Sequence, residues 1–202
     1  MKIKDKMKKL IFSLLTITSF ALTSCSSDDD TPTTTDDDPI VEEGEVITLT
    51  GVLTEDQTWE SENIYILDGR VIVDEGVTLT IEAGTIIKGE EGLETLASAL
   101  VVDQGATLIA EGTASEPIIF TSVLDGISQG ETTGTLDIAD TGLWGGIIVL
   151  GNAPISVNGD LETAQIEGLP ADESYGQYGG TDPADNSGIL KYISIRHGGI
   201  TI

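Results

Sequence analysis

Val73-Asp-Glu-Gly-Val-Thr-Leu79 returns as Val102-Asp-Gln-Gly-Ala-Thr-Leu108, 29 residues further on. A phrase that recurs at a fixed distance of this size points to a solenoid, in which each supersecondary unit stacks on the one before. The two copies share an internal logic. Gly76 and Gly105, each preceded by Asp and then Glu or Gln, allow a corner with positive φ. An alternating run follows: Val77, Leu79 and Ile81 with Thr78 and Thr80 between them, then Ala106, Leu108 and Ala110 with Thr107 and Ile109. A period of two with threonine outside is a strand with one buried face. Gly84 and Gly112 mark second corners, and Thr85-Ile-Ile-Lys88 and Pro117-Ile-Ile-Phe-Thr121 supply further strands. Strand, corner, strand, corner, strand with no helical period is the pattern of a coil of a parallel β-helix. Two similar hairpins of an all-β sandwich are the alternative.

Working outward, Val46–Leu53 reads as a strand at the N-terminal end of the stack, and Trp59 as a residue packed there, since a solenoid end exposes apolar rows and strand edges. Ile64–Leu67 and Arg70–Val73 lead into the first copy, and Ala99–Val102 into the second. After Phe120 the period breaks. Residues near 123–142 and 158–188 read as loops leaving the stack, separated by a strongly buried strand at Leu143–Leu150, a corner at Gly151–Pro154 that offers Asn152 to a polar ladder, and Ile155–Val157. Ile189–His197 re-enters as strand, with Leu190 and Tyr192 or Ile193 and Ile195 competing for the inner face, and His197 turns the chain before Gly198. Ile200-Thr-Ile202 starts another strand. A stack closing on a bare alternating strand leaves its lumen open, so a longer protein, or a partner over that end, is expected.

The 202 residues include 24 glycines and 4% aromatics, so the core is expected to be Ile, Val, Leu and Ala. The formal charge is −26; without residues 1–24 it deepens to −30, from 4 basic and 34 acidic side chains. Such a surface repels nucleic acid and anionic lipid. With a single cysteine no internal disulfide can form.

That cysteine has another use. Met1–Lys9 is basic, Leu10–Leu22 is apolar but too short to span a bilayer, and Leu22-Thr-Ser-Cys25 closes the segment. This resembles the bacterial lipoprotein signal, which implies cleavage after residue 24 and acylation of Cys25, with several chains (palmitate among them) giving a stable anchor. Residues 25–45 carry Asp28–Asp30 and Asp36–Asp38 among Ser, Thr and Pro, and read as a disordered acidic tether. Taken as a coil, it reaches ~25 Å. Acidic residues behind the lipidated cysteine resemble the surface-export signal of Bacteroidota lipoproteins, which implies the outer membrane, facing the medium; a periplasm-facing lipoprotein with a plain spacer is the alternative. Residues 46–202 form the β-helix domain.

Val77–Lys88, Ala106–Ser122, Trp144–Ala153 and Leu190–Gly199 together resemble a group of Bacteroidota secreted or lipid-anchored proteins with right-handed parallel β-helix domains. The resemblance implies an all-β, right-handed parallel β-helix and an envelope location, but no biochemical activity.

The chemistry divides three ways. A binding or display module would use the excursion at 172–186, where Tyr175 and Tyr178, flanked by glycine, suit sugar stacking, and Asp172, Asp182, Asp185 and Asn186 offer oxygens to a glycan, a protein ligand or Ca²⁺. No other cofactor is expected. A purely structural stalk is the second class. A polysaccharide lyase or hydrolase is the third, by analogy with other β-helices. A lyase needs a base beside Ca²⁺-holding carboxylates, and the mature chain offers only Arg70, Lys88, Lys191, Arg196 and His197 as basic side chains. A hydrolase needs two facing carboxylates, which in so acidic a chain composition cannot identify. No metal-ligand spacing, nucleophile elbow or phosphate loop is present, so catalytic residues are not assigned.

Overall fold

The computed structural model describes residues 44–199 apart from 94–95, 160, 170–172 and 174. The signal segment, Cys25, nearly all of the tether, Asp172 and the closing Ile200–Ile202 lie outside the described residues.

Thirteen strands follow in chain order among the described residues: β1 (Val46–Leu53), β2 (Gln57–Trp59), β3 (Ile64–Val73), β4 (Thr78–Ile81), β5 (Ile86–Gly89), β6 (Ala99–Val102), β7 (Thr107–Glu111), β8 (Ile118–Ser122), β9 (Gly146–Val149), β10 (Ala164–Gln165), β11 (Gln177–Tyr178), β12 (Gly188–Lys191) and β13 (Ile193–Ile195). All pairings are parallel except that of β10 with β11. The strands build three walls around a common lumen. Wall one is the sheet β2-β4-β7-β12. Walls two and three belong to one seven-stranded sheet, ordered β13-β8-β5-β3-β6-β9 with β1 on the other edge of β3. The first half of β3 pairs with β5 and its second half with β6. One strand of the first coil therefore answers two strands of the next. The protein is a parallel β-helix.

The repeated phrases lie on one another in parallel: Thr78 opposite Thr107 and Leu79 opposite Leu108. Gly76 and Gly105 have φ of 80° and 77°, a region that costs glycine nothing. The Gly76 N–H donates to the Gly105 carbonyl, so the two corners stack as well. Inside, side chains form rows across the coils: Ile81 and Ala110 below Leu190, and Tyr65, Ile87 and Phe120 below Ile195. Below the half-exposed Leu190 and Ile195, the buried members of these rows belong to one core cluster with Leu67, Val71, Leu79, Leu100 and Leu108. Fully burying each such side chain stabilises the fold by about 1.5–3 kcal/mol. At the N-terminal end Trp59 stacks on Tyr65 with ring centroids 4.9 Å apart, and the Tyr65 hydroxyl accepts the Glu60 N–H.

Four details differ from the sequence expectation. Ile64–Leu67 and Arg70–Val73 are one strand rather than two. The expected strand at Leu143–Leu150 shortens to β9, an edge strand whose Val149 is 41% exposed, while Ile155–Val157 forms no strand. Ile189–His197 breaks at Tyr192, where φ is 47°, so Leu190 and Ile193 both face inward, from different walls. The fourth concerns the two excursions, which lie between β8 and β9 (123–145) and between β9 and β12 (150–187). Neither leaves the stack. Ile127 of the first packs against Ile86, Ile119 and Ile64 on the outside of wall two. Leu150, Ile166, Leu169, Tyr175 and Tyr178 of the second cover Ile72, Val101 and Ile148 on wall three. The reason is that β5, β6 and β8 carry apolar residues on both faces, and bare outer faces would meet water. His197, by contrast, has φ of 57° and does turn the chain before Gly198.

Candidate functional site

The second excursion is held on wall three by polar contacts around its hydrophobic patch. Ile166 donates its N–H to the Gly176 carbonyl beside the β10–β11 pair, and Gly179 donates to the Gly151 carbonyl. From the corner between β6 and β7, the Gln104 side chain donates to the carbonyls of Gly151, at 2.9 Å, and Gly179, at 2.7 Å. Its neighbour Asp103 is buried, and burial pushes its carboxyl above the ordinary range, with the Asp74 and Glu75 carboxylates adding to the rise; the Gln104 and Gly176 N–H groups pull the other way.

This seat places one tyrosine in each of two clefts. Tyr175 faces a cleft of about 430 Å³ lined also by Thr50, Val52, Arg70, Ile72 and Glu173. Arg70 there donates to the Gly168 carbonyl, 3.2 Å away. Tyr178 faces a cleft of about 450 Å³, more apolar, with Val149, Ala153, Ile155, Ile166 and Glu167 around it. Both rings are half-buried. A flat ring set in a concave wall with carboxylate and hydroxyl groups beside it can stack on the apolar face of a sugar while the polar groups take its hydroxyls.

The other oxygens expected at the site are brought elsewhere. Asp185 Oδ2 accepts the Asn152 N–H, Asp182 Oδ1 accepts the Ala184 N–H and Asn186 Oδ1 accepts the Gly188 N–H. These three residues close turns, and none lines either tyrosine cleft. Asn152 takes part through its backbone, whose carbonyl also accepts the Asp182 N–H. Among the described residues no group of three or more His, Cys, Asp or Glu is placed to hold a metal ion. Arg70, Thr50 and Glu173 were not legible as partners of Tyr175, because Arg70 and Thr50 come from the first coils, a hundred residues earlier.

A second polar cluster lies over wall two. Asp125, 1% exposed, accepts hydrogen bonds from the Thr121 hydroxyl at 2.8 Å and the Thr135 N–H at 2.7 Å. Burial works against its charge. The N–H groups of Thr135 and Leu136, the Thr121 hydroxyl and nearby His197 outweigh that and hold the carboxyl below the ordinary range. Lys88 Nζ donates to the carbonyls of Asp125 and Ile127, both at 2.8 Å. Burial lowers its pKa, against Asp125 and Glu131. Arg196 reaches the Thr132 carbonyl, and the His197 ring contacts the Asp140 carbonyl. Three basic side chains singled out in the sequence thus converge on the first excursion and are occupied in fastening it. Lys191 lies apart, its Nζ 6.0 Å from the Tyr192 ring centre. Alongside, a smaller cleft of about 230 Å³ follows the stacked corners, with Glu62, Glu116 and Glu131 on its walls.

A model of the pectate-lyase-like beta helix domain family matches residues 51–202. No curated protein and no solved structure matches the chain.

Proposed function

The chain belongs to the pectate-lyase-like beta helix domain family, and from that premise we propose that it is a lipid-anchored, non-catalytic display module that holds a carbohydrate against wall three. The observation that carries this reading is the pair of half-buried tyrosines, each set in a cleft by the second excursion. Aromatic rings in concave polar surroundings are the usual means of gripping sugars, and a family named for polysaccharide chemistry favours that ligand over a protein. The anchor is Cys25: the basic, apolar and Leu-Thr-Ser-Cys segments support acylation there, and the acidic run behind it supports the outer leaflet of the outer membrane. Nucleic acid is excluded by charge of the same sign.

The family name also favours a second reading, cleavage of an acidic polysaccharide. Against it, Lys88 and Arg196 spend donors on backbone carbonyls and His197 is engaged by Asp140, all over wall two and away from the tyrosine clefts, while Arg70, which lines the Tyr175 cleft, donates to the Gly168 carbonyl.

The test is a glycan array probed with the mature chain, followed by titration of any hit against Tyr175→Ala and Tyr178→Ala. Each variant is expected to weaken binding about 2- to 10-fold, the worth of one aromatic contact. Absence of any hit above a charge-matched control, or unchanged affinity in both variants, would refute the display reading. New unsaturated product from an acidic polysaccharide would establish the enzymatic one instead. Intact mass of the membrane-extracted protein and of Cys25→Ser tests the anchor; masses that differ by no more than the exchange of sulfur for oxygen would sink it.

A further inference from the structure

The two copies of the repeated phrase differ at their corner in one chemically decisive place: Asp74-Glu75-Gly76 against Asp103-Gln104-Gly105. The corners are stacked, and a Cβ built at Gly105 would lie 3.1 Å from Glu75 Cγ, so Glu75 and Gln104 occupy matching places in successive corners, with Glu75 against the second corner's glycine. Glu75 is exposed. One coil further on, the side chain is an amide, and its nitrogen donates to two backbone carbonyls, Gly151 and Gly179. A carboxylate could donate to neither and would set its charge against both oxygens. The preceding Asp103 accepts the Gly176 N–H from the same excursion. Three glycine backbones around Tyr175 and Tyr178 are therefore gripped by one corner dipeptide.

We propose that Gln104, with Asp103 beside it, is the latch that seats the tyrosine-bearing excursion on wall three, and that the Glu-to-Gln difference between the two corners is what makes the second corner a latch. Its functional meaning rests on the carbohydrate-display reading, as positioning residues for that surface, but its test needs no ligand. The walls are held by their own ladders and their inward rows, so releasing the latch should free the excursion without unfolding the coil beneath it.

The experiment is native-state amide hydrogen exchange on the folded chain, comparing wild type with Gln104→Met, which keeps the length and removes the donors, and Gln104→Glu. The reporters are the N–H groups of Ile166, Gly179 and Asp182, bonded within the second excursion to the carbonyls of Gly176, Gly151 and Asn152. Removing two hydrogen bonds should speed their exchange on the order of 30-fold in both variants, while the β4–β7 ladder keeps its protection. Glu75→Gln should change nothing. Unchanged exchange in Gln104→Met would overturn the proposal, as would acceleration in Gln104→Glu alone, because repulsion rather than lost donors would then be at work. Loss of protection throughout β4–β7 would also overturn it, since the corner would then be holding the stack and not the lid. A latch that passes this test in a chain that binds no glycan separates the failure of the display reading from the failure of the latch. If both hold, Gln104→Met should weaken glycan binding, and restoring an amide one methylene shorter, Gln104→Asn, should recover part of the lost protection.

Discussion

Gly89 and Trp144 make a pair that can be dissected quantitatively. Gly89 lies in an inward row of wall two, between Leu67 and Ser122, and Trp144 fills the space its missing side chain leaves. A Cβ at Gly89 would stand 2.8 Å from Trp144 Cβ and Cε3, well inside ordinary van der Waals contact. The ring has little room to retreat, because it is fully buried, its Nε1–H donates to the Arg196 carbonyl at 2.8 Å, and its backbone bridges Gly198. Gly89→Ala should therefore destabilise by about 1–3 kcal/mol through overpacking. Trp144→Ala should cost about 3–5 kcal/mol by opening a cavity. In the double variant the new methyl enters that cavity instead of striking a ring, so its penalty should vanish and the cycle should show a coupling of about 1–3 kcal/mol. Urea unfolding of the four proteins, followed by far-ultraviolet circular dichroism and compared at equal m-value, measures it. Costs that add to within about 0.5 kcal/mol, or a neutral Gly89→Ala in the presence of Trp144, would show that the contact is not what fixes this end of the lumen.

Two further predictions concern pH. The folded-state pKa of Asp125 lies below its ordinary value, so its contribution is complete above the ordinary carboxylate range and is lost as the pH falls through the folded value; Asp125→Asn should lower the melting temperature at neutral pH and differ little from wild type in strong acid. Asp103 is the opposite case: with its folded pKa raised, stability is full below the ordinary value and declines as the pH rises through the folded one, so Asp103→Asn, which keeps an oxygen for the Gly176 N–H, should melt higher than wild type at neutral pH and gain nothing in acid. A melting temperature of Asp103→Asn at or below wild type at neutral pH would contradict that account.

The stack was legible because its signal is local. A corner glycine followed by alternating Thr and Leu is set by φ and by pleat, and two such phrases in one chain have one economical parallel register, the one found. Trp59 was legible for the same reason, as a large apolar residue near an end that needs closing. The excursions were misjudged because their glycine, threonine and aspartate suit solvent, while the reason they stay lies elsewhere. That reason was written in Ala99-Leu-Val-Val102 and Ile118-Ile-Phe120, unbroken apolar runs that mark strands buried on both faces. The partnership of Tyr175 with Arg70 and Thr50 had no such signal: it depends on which outer face the excursion covers, and a single sequence does not encode that distance in any period.

Both excursions spring from the third coil, on either side of β9, and the coils below carry only short corners apart from residues 90–98 between β5 and β6. Ladder bonds and lumen rows bind each rung to its neighbours without reference to what overhangs them. The rungs can thus act as an unchanging mast while the rigging at one height is exchanged. A descendant that lengthened, shortened or replaced either overhang would acquire a new recognition face at no expense to the shaft, provided its fresh segment still brought an oily underside to lay against β5 and β8 or against β6.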